Sequence, residues 1–189
     1  MIPVTTVADK LNQLLTNTNP VDIEIGFGKG QFILQKAQLY KNISFIGFEV
    51  KRKLVEHVDK IIERLNLDNI YVEASFANLS IPQKIPNGRI RNIYINFPDP
   101  WWKRSHRKRR IIQKEFINFF YNCLQIDGTI FVRTDVKEYS DFVEKNFAEL
   151  ETFVRVEHEI ISDNIMSNRE VRCKSEDLDI YYLAFRKIK

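Results

Sequence analysis

Residues 21–39, VDIEIGFGKGQFILQKAQL, decide the fold class. Val21 to Ile25 predicts a strand and Gln31 to Leu39 a helix, with Gly26, Gly28 and Gly30 in the turn between them. Glycines at such a turn let the backbone take positive φ and approach a ligand closely. A dinucleotide fingerprint, G-x-G-x-x-G, would need its third glycine at position 31, where Gln31 stands. A phosphate-cradling P-loop would need Ser or Thr after its lysine, yet Lys29 is followed by Gly30. The pattern is instead E-x-G-x-G-x-G, from Glu24 to Gly30. A carboxylate two residues ahead of the first glycine is unwelcome beside a pyrophosphate. It suits a cationic ligand, such as the amino-bearing arm or the sulfonium of S-adenosylmethionine.

Further along the chain, Ser44 to Phe48 predicts a second strand, which runs into Glu49, 21 residues after Gly28. In doubly wound sheets an acid about 20 residues beyond the glycine turn accepts hydrogen bonds from an adenosine ribose. The same carboxylate could instead satisfy the start of a helix over Lys51 to Leu65. Ile70 to Glu73 predicts a third strand, followed by a loop, ASFANLS, whose Asn78 is a polar candidate for an adenine ring; Pro82 and Pro86-Asn87-Gly88 extend that loop. Further strands are expected over Ile90 to Asn96, Thr129 to Arg133, Phe153 to Ile160 and Ile180 to Phe185. Helices are expected over Val4 to Leu15, Ile111 to Leu124 and Tyr139 to Leu150. Strands alternating with helices imply one α/β domain spanning 1–189, a doubly wound, mostly parallel seven-stranded sheet with helices on both faces and a short leading helix. Glu24, Glu49, Asn78, Asp99 and Asp135 then fall on or near the carboxyl edge, where such sheets bind ligands.

The other informative stretch is residues 89–112, RIRNIYINFPDPWWKRSHRKRRII. A strand runs into a lone acid, Asp99, then Trp101 and Trp102, then six cations between Lys103 and Arg110. The whole chain carries only +4, so the remainder is slightly acidic and the positive charge is concentrated in this run. A concentrated patch suits a polyanion, because each neutralised phosphate releases counterions. An indole face adds a surface on which any base can stack. Basic runs also occur as solvated loops and tryptophans as core, and at least one of the two tryptophans is expected to be structural. Arg104, Arg107, Lys108, Arg109 and Arg110 are expected to contact phosphates.

No run of 18 apolar residues is present, and the first residues lack a cationic start followed by an apolar stretch, so neither a membrane span nor a secretory signal is expected. Cys123 and Cys173 lie 50 residues apart with no CxxC, and the chain has 3 histidines, which argues against zinc, any other metal site and a disulfide framework. The expectation is a cytoplasmic protein with no metal and no evident obligatory protein partner, as a monomer or homodimer.

The blocks IEIGFGKGQFI, IGFE, INFPDPWWKRSHRKRRI and RTD together resemble the bacterial tRNA (guanine-N(7)-)-methyltransferases, the TrmB type. The resemblance implies a class I methyltransferase that moves a methyl group from S-adenosylmethionine to N(7) of a tRNA guanosine, in the variable loop. It implies that Glu24 and Glu49 bind the cofactor with Gly26, Gly28 and Gly30, and that Asp99 sits at the methyl-transfer centre, touching the cofactor too. Asn78 stands where the family usually has Asp. Lys103 and Asp135 match tRNA-binding positions, with Arg104, Arg107 and Arg109 beside the first of them. The family's C-terminal T-x-[aromatic]-E motif finds its nearest match in Cys173-Lys174-Ser175-Glu176, which retains Glu176; the N-terminal extension common in the family is short or missing. Two other functions fit the residues. Asn96-Phe97-Pro98 and Asp99-Pro100-Trp101 are reminiscent of the [DN]-P-P-[YFW] loop of amino-methyltransferases. A non-catalytic RNA-binding module would also use the basic run.

Overall fold

The computed structural model describes residues 7–157 and 164–189. Its strands are β1 (Val21–Ile25), β2 (Ser44–Glu49), β3 (Ile70–Ala74), β4 (Ile90–Asn96), β5 (Leu124–Thr134), β6 (Phe153–Val156) and β7 (Tyr181–Lys187). The helices are α1 (Val7–Thr16), α2 (Gln31–Leu39), α3 (Arg52–Arg64), α4 (Ala77–Lys84), α5 (Lys114–Cys123), α6 (Lys137–Ala148) and α7 (Asn168–Ser175), and a 3-10 turn covers Arg104–Arg109. One sheet has the order β3-β2-β1-β4-β5-β7-β6. Strands β1 to β5 pair in parallel; β7 runs antiparallel to β5, and β6 antiparallel to β7.

Both faces of the sheet are covered, which is why β1 and β2 are buried along their whole length. On one face Val21, Ile23, Ile25, Ile93, Ile95 and Val132 pack with apolar residues of α1, α4, α5 and α6. On the other, Phe45, Ile70 and Val72 pack with Ile33, Leu34 and Ala37 of α2 and Val55, Val58 and Ile62 of α3. Gly30 opens α2 at φ +78°, and a Cβ there would come within 2.6 Å of Val58 Cγ2. Its lack of a side chain is what lets α2 lie against α3.

The chain builds outward from β1 through β2 to β3, then returns to place β4 on the other side of β1. The order reverses between β1 and β4, so a crevice opens at their carboxyl ends.

Several boundaries differ from the sequence reading. The leading helix runs Val7–Thr16, residues 4–6 of the expected stretch lying outside the described residues. The stretch after β3 is helical rather than loop: α4 forms despite Pro82, which stands near its end, where the missing N–H removes one hydrogen bond and the helix stops two residues later. Helix α5 starts at Lys114 rather than Ile111, and Asp127-Gly128 does not follow a helix but lies inside β5. Asp127 has φ +64°, and the register against β4 jumps from Ile90↔Leu124 to Asn92↔Thr129, so the pair forms a bulge. Strand β6 ends at Val156; residues 158–160 of the stretch expected to continue it lie outside the described residues. Helix α7 was not expected at all.

Candidate active site

Two cavities adjoin at the reversal point, of about 340 and 630 Å³. They share Gly26, Asn96, Phe97, Pro98 and Asp99. The smaller extends to Glu49, Ser75, Asn78, Trp101 and Arg109. The larger extends to Glu24, Gly28, Trp102, Asp135 and the start of α7. Asp99 is exposed and sits on the border of both.

Strand β1 carries two carboxylates on one face, and they are treated differently. Asp22, 1% exposed, takes two hydrogen bonds from Arg91, at 2.9 and 2.7 Å. Glu24, 3% exposed, accepts one bond from the Asn96 amide at 2.9 Å, and its Oε2 has no partner. A buried carboxylate without a counter-ion resists ionisation, and burial raises the Glu24 pKa from 4.5 to about 7, against the opposing pull of Asn96 and Arg133. An unpaired buried oxygen facing a cavity calls for an explanation. A cationic ligand supplies one, so the residue fits the amino or sulfonium charge of S-adenosylmethionine.

Glu49, 8% exposed, serves the helix start and lines the smaller cavity as well. Its Oε1 accepts from the Lys51 N–H at the start of α3, and its Oε2 accepts from the Gly28 N–H, both at 3.0 Å. The acid at the end of β2 thus pins the glycine turn. At Gly26 and Gly28, with φ of +74° and +56°, a Cβ would meet nothing within 4 Å, so the turn borders open space. Asn78 lines the smaller cavity from the first turn of α4. Ser75, which sequence reasoning passed over, lines it as well and extends the sheet by donating its N–H to the Glu49 carbonyl at 3.0 Å. These residues form an adenosine-sized hollow against the glycine turn, and they fit the cofactor.

The loop after β4 is held in an uncommon backbone shape. Phe97 and Trp101 have φ of +51° and +47°, and they bracket Pro98-Asp99-Pro100. Such conformations cost non-glycine residues roughly 1–3 kcal/mol each and cluster at functional sites. The two tryptophans diverge. Trp101 is half-buried, with Arg109 over its ring at 5.1 Å and His106 edge-on at 5.8 Å. Trp102 is 62% exposed and lines the larger cavity.

The basic run forms the 3-10 turn. Lys103, Arg104, Arg107, Lys108 and Arg109 are exposed. Arg110 is not, which corrects its expected phosphate contact. It is 2% exposed, donates to the Pro100 carbonyl at 2.8 Å and to Glu138 at 3.1 Å, and lies over the Phe142 and Tyr139 rings. Its planar head is spread between rings and acceptors, so it braces the Asp99 loop instead. Arg107 reaches the same Glu138 at 2.8 Å. Arg110→Ala is expected to lower stability by about 2–4 kcal/mol through lost packing and hydrogen bonds, read as a shifted urea midpoint.

Asp135, just beyond β5, is ion-paired with Arg169 of α7. Two residues earlier, buried Arg133 pairs with buried Glu170 at 2.8 Å, and Tyr182 donates to the same carboxylate at 2.9 Å. Ser167 caps α7 by accepting from the Glu170 N–H at 3.2 Å. Ser167, Asn168 and Arg169 line the larger cavity; Cys173 is buried, and Glu176 at the far end of α7 pairs with Arg172 at 2.7 Å. The structure therefore brings Ser167-Asn168-Arg169, with Glu170 buried behind them, to the site in place of Cys173-Lys174-Ser175-Glu176, and Glu176 lines neither cavity. The signal was legible: Ser-x-x-Glu is a capping box, which announces a helix start at that position. Among the described residues no group of His, Cys, Asp and Glu side chains could hold a metal ion, and no helix is long and apolar enough to cross a membrane.

Comparison with known proteins places this arrangement. The family described as "Putative methyltransferase" matches residues 18–183. A tRNA (guanine-N(7)-)-methyltransferase of Prochlorococcus marinus subsp. pastoris is 31% identical, the match covering 94% of this chain and 90% of that protein. Another of the same name, from Oceanobacillus iheyensis, is 31% identical over 90% of this chain and 82% of its own. Among solved structures, the antibiotic-resistance methyltransferase Kmr superposes with a TM-score of 0.68 at 16% identity, covering 97% of this chain and 93% of that one. The 16S rRNA methyltransferase KamB gives 0.67 at 14% identity, over 97% and 94%. These two likenesses establish the fold, a Rossmann-like methyltransferase sheet. With the glycine turn, the Asp99 loop and the basic turn assembled around two joined cavities, the chain belongs to the tRNA (guanine-N(7)-)-methyltransferase family.

Proposed function

We propose that the protein acts in the cytoplasm and transfers a methyl group from S-adenosylmethionine to N(7) of a guanosine in the variable loop of tRNA. The observation that carries this reading is the position of Asp99, exposed between an adenosine-sized hollow and a wider cavity lined by Trp102 and Asp135. S-adenosylmethionine supplies an electrophilic methyl on a sulfonium. Guanine N(7) carries an in-plane lone pair and no proton, so the residues need not remove one. Their work is orientation and electrostatics. Glu24 compensates the cofactor's positive charge, Glu49 and Asn78 hold its nucleoside end, and Asp99 accepts hydrogen bonds at the purine edge and offsets the charge that develops on the ring. Trp102 offers its open face to a base, while Trp101 serves the scaffold.

The amino-methyltransferase reading is weaker, because neither Asn96-Phe97-Pro98 nor Asp99-Pro100-Trp101 carries the two consecutive prolines of that loop. Incubation with labelled S-adenosylmethionine and unmodified tRNA, followed by mapping of the methyl group, tests the proposal. A product methylated on an exocyclic amine supports the amino-methyltransferase, and failure to bind the cofactor by calorimetry supports an RNA-binding module.

Lys103, Arg104, Lys108 and Arg109 form the exposed phosphate track. Replacing Lys103, Arg104 and Lys108 together by Gln is expected to reduce the slope of log affinity against log salt by about 2–3, as three phosphate contacts are lost. Filter binding from low to moderate salt reads the slope, and an unchanged slope removes the track from the RNA interface.

A further inference from the structure

Arg169 is the residue in the wider cavity that the proposed reaction leaves without a task. Its guanidinium donates through Nε, at 3.1 Å, and through Nη2 to a single oxygen, Oδ2 of Asp135. This is not the two-oxygen fork that arginine forms when a carboxylate is its final partner. Arginine has five N–H donors, so donors remain for a ligand in the cavity. The side chains are 41% and 16% exposed, and both residues line the cavity with Asp99 and Trp102. Helix α7 is anchored by the buried Arg133–Glu170 pair, so Arg169 is presented from a fixed base.

A donor beside an acceptor matches one purine edge. Around its rim guanine offers the N2 amino group and N1–H as donors, then O6 as an acceptor, then N(7). Adenine reverses the pattern at positions 1 and 6. We propose that Asp135 accepts from N1–H and the N2 amino group while Arg169 donates to O6, so that the pair selects guanine. This deepens the reading above and rests on it. N(7) is the next atom after O6, so a base held this way leaves its nucleophile unpaired for the methyl donor.

The test uses tRNA carrying guanosine, inosine or 2,6-diaminopurine riboside at the methylated position. Inosine lacks the N2 amino group; 2,6-diaminopurine replaces O6 by an amino group and turns N1 from a donor into an acceptor, so only the change on altering Arg169 reports on the O6 contact. The intact enzyme is expected to prefer guanosine over 2,6-diaminopurine by about 100-fold or more in kcat/KM, since a site built around a hydrogen bond rejects its loss strongly. Arg169→Met is expected to shrink that ratio about tenfold while leaving the guanosine-to-inosine ratio unchanged. Arg169→Lys, which keeps a donor, is expected to fall between. Should Arg169→Met turn over too slowly, the same ratios are read as RNA affinities. A guanosine-to-diaminopurine ratio that is the same in all three proteins overturns the assignment. Absence of any 7-methylguanosine with the intact enzyme overturns the underlying reaction instead, so the two failures are distinguishable.

Discussion

Asp99→Ala is expected to lower turnover by about 100- to 1,000-fold while changing cofactor affinity by less than about threefold, in line with the loss of one preorganised electrostatic partner. The expectation follows from where the carboxylate stands. Asp99 is exposed on the border of the two cavities, at the tip of a loop that two prolines and buried Arg110 hold in place. Glu24 and Glu49, by contrast, are buried in the walls of the larger and the smaller cavity and stay intact in the variant. Asp99→Asn separates the two parts of the role, since it keeps a hydrogen-bond acceptor and removes the charge. Turnover from methyl incorporation at saturating substrates, with calorimetry of S-adenosylhomocysteine, measures both halves. Full activity of Asp99→Ala would sink the assignment.

Cofactor binding by the intact protein is expected to tighten about tenfold between pH 6 and pH 8, because Glu24 must ionise to face a cation and its pKa is raised to about 7 by burial. At pH 7 binding then releases about half a proton, which calorimetry in buffers of different ionisation enthalpy reveals. Stability moves the other way. A carboxyl whose folded pKa lies above its unfolded value of 4.5 favours the fold at low pH and withdraws that contribution as pH rises toward and through about 7. The empty protein should therefore lose thermal stability over that interval, and bound cofactor should restore it. Glu24→Gln is expected to weaken the cofactor about 10- to 100-fold through loss of a charge-assisted contact, and to abolish the proton release. Proton release that survives the substitution would mean that another group titrates.

The sheet was legible because strand and helix periods alternate cleanly from Val21 onward, and the glycine turn marks where a ligand meets the backbone. Expectation and structure agree on Glu24, Glu49, Asn78, Asp99 and Asp135 near one edge, since alternation along a strand and its carboxyl end fix where such residues lie. What escaped has physical causes. Pro82 suggested a loop, yet a proline near a helix end costs only one hydrogen bond. Asp127-Gly128 suggested a chain reversal, but the same positive φ serves a bulge inside a strand. Arg110 reads as one more cation in a row, and no local pattern shows that it turns inward onto Tyr139 and Phe142. The nearest match to the C-terminal motif lies at Cys173 to Glu176, whereas the buried Arg133–Glu170 pair sets Ser167 to Arg169 at the cavity.

The ion pairs joining α7 to the end of β5 alternate in sign: Arg133 with Glu170, then Asp135 with Arg169. Read as a key in a lock, this alternation admits one seating of the helix. A slip by a single position would set Arg169 against Arg133, two cations at a depth where water screens little. Inverting both pairs together should leave the seating intact, while inverting either alone should unseat the helix and with it one wall of the cavity.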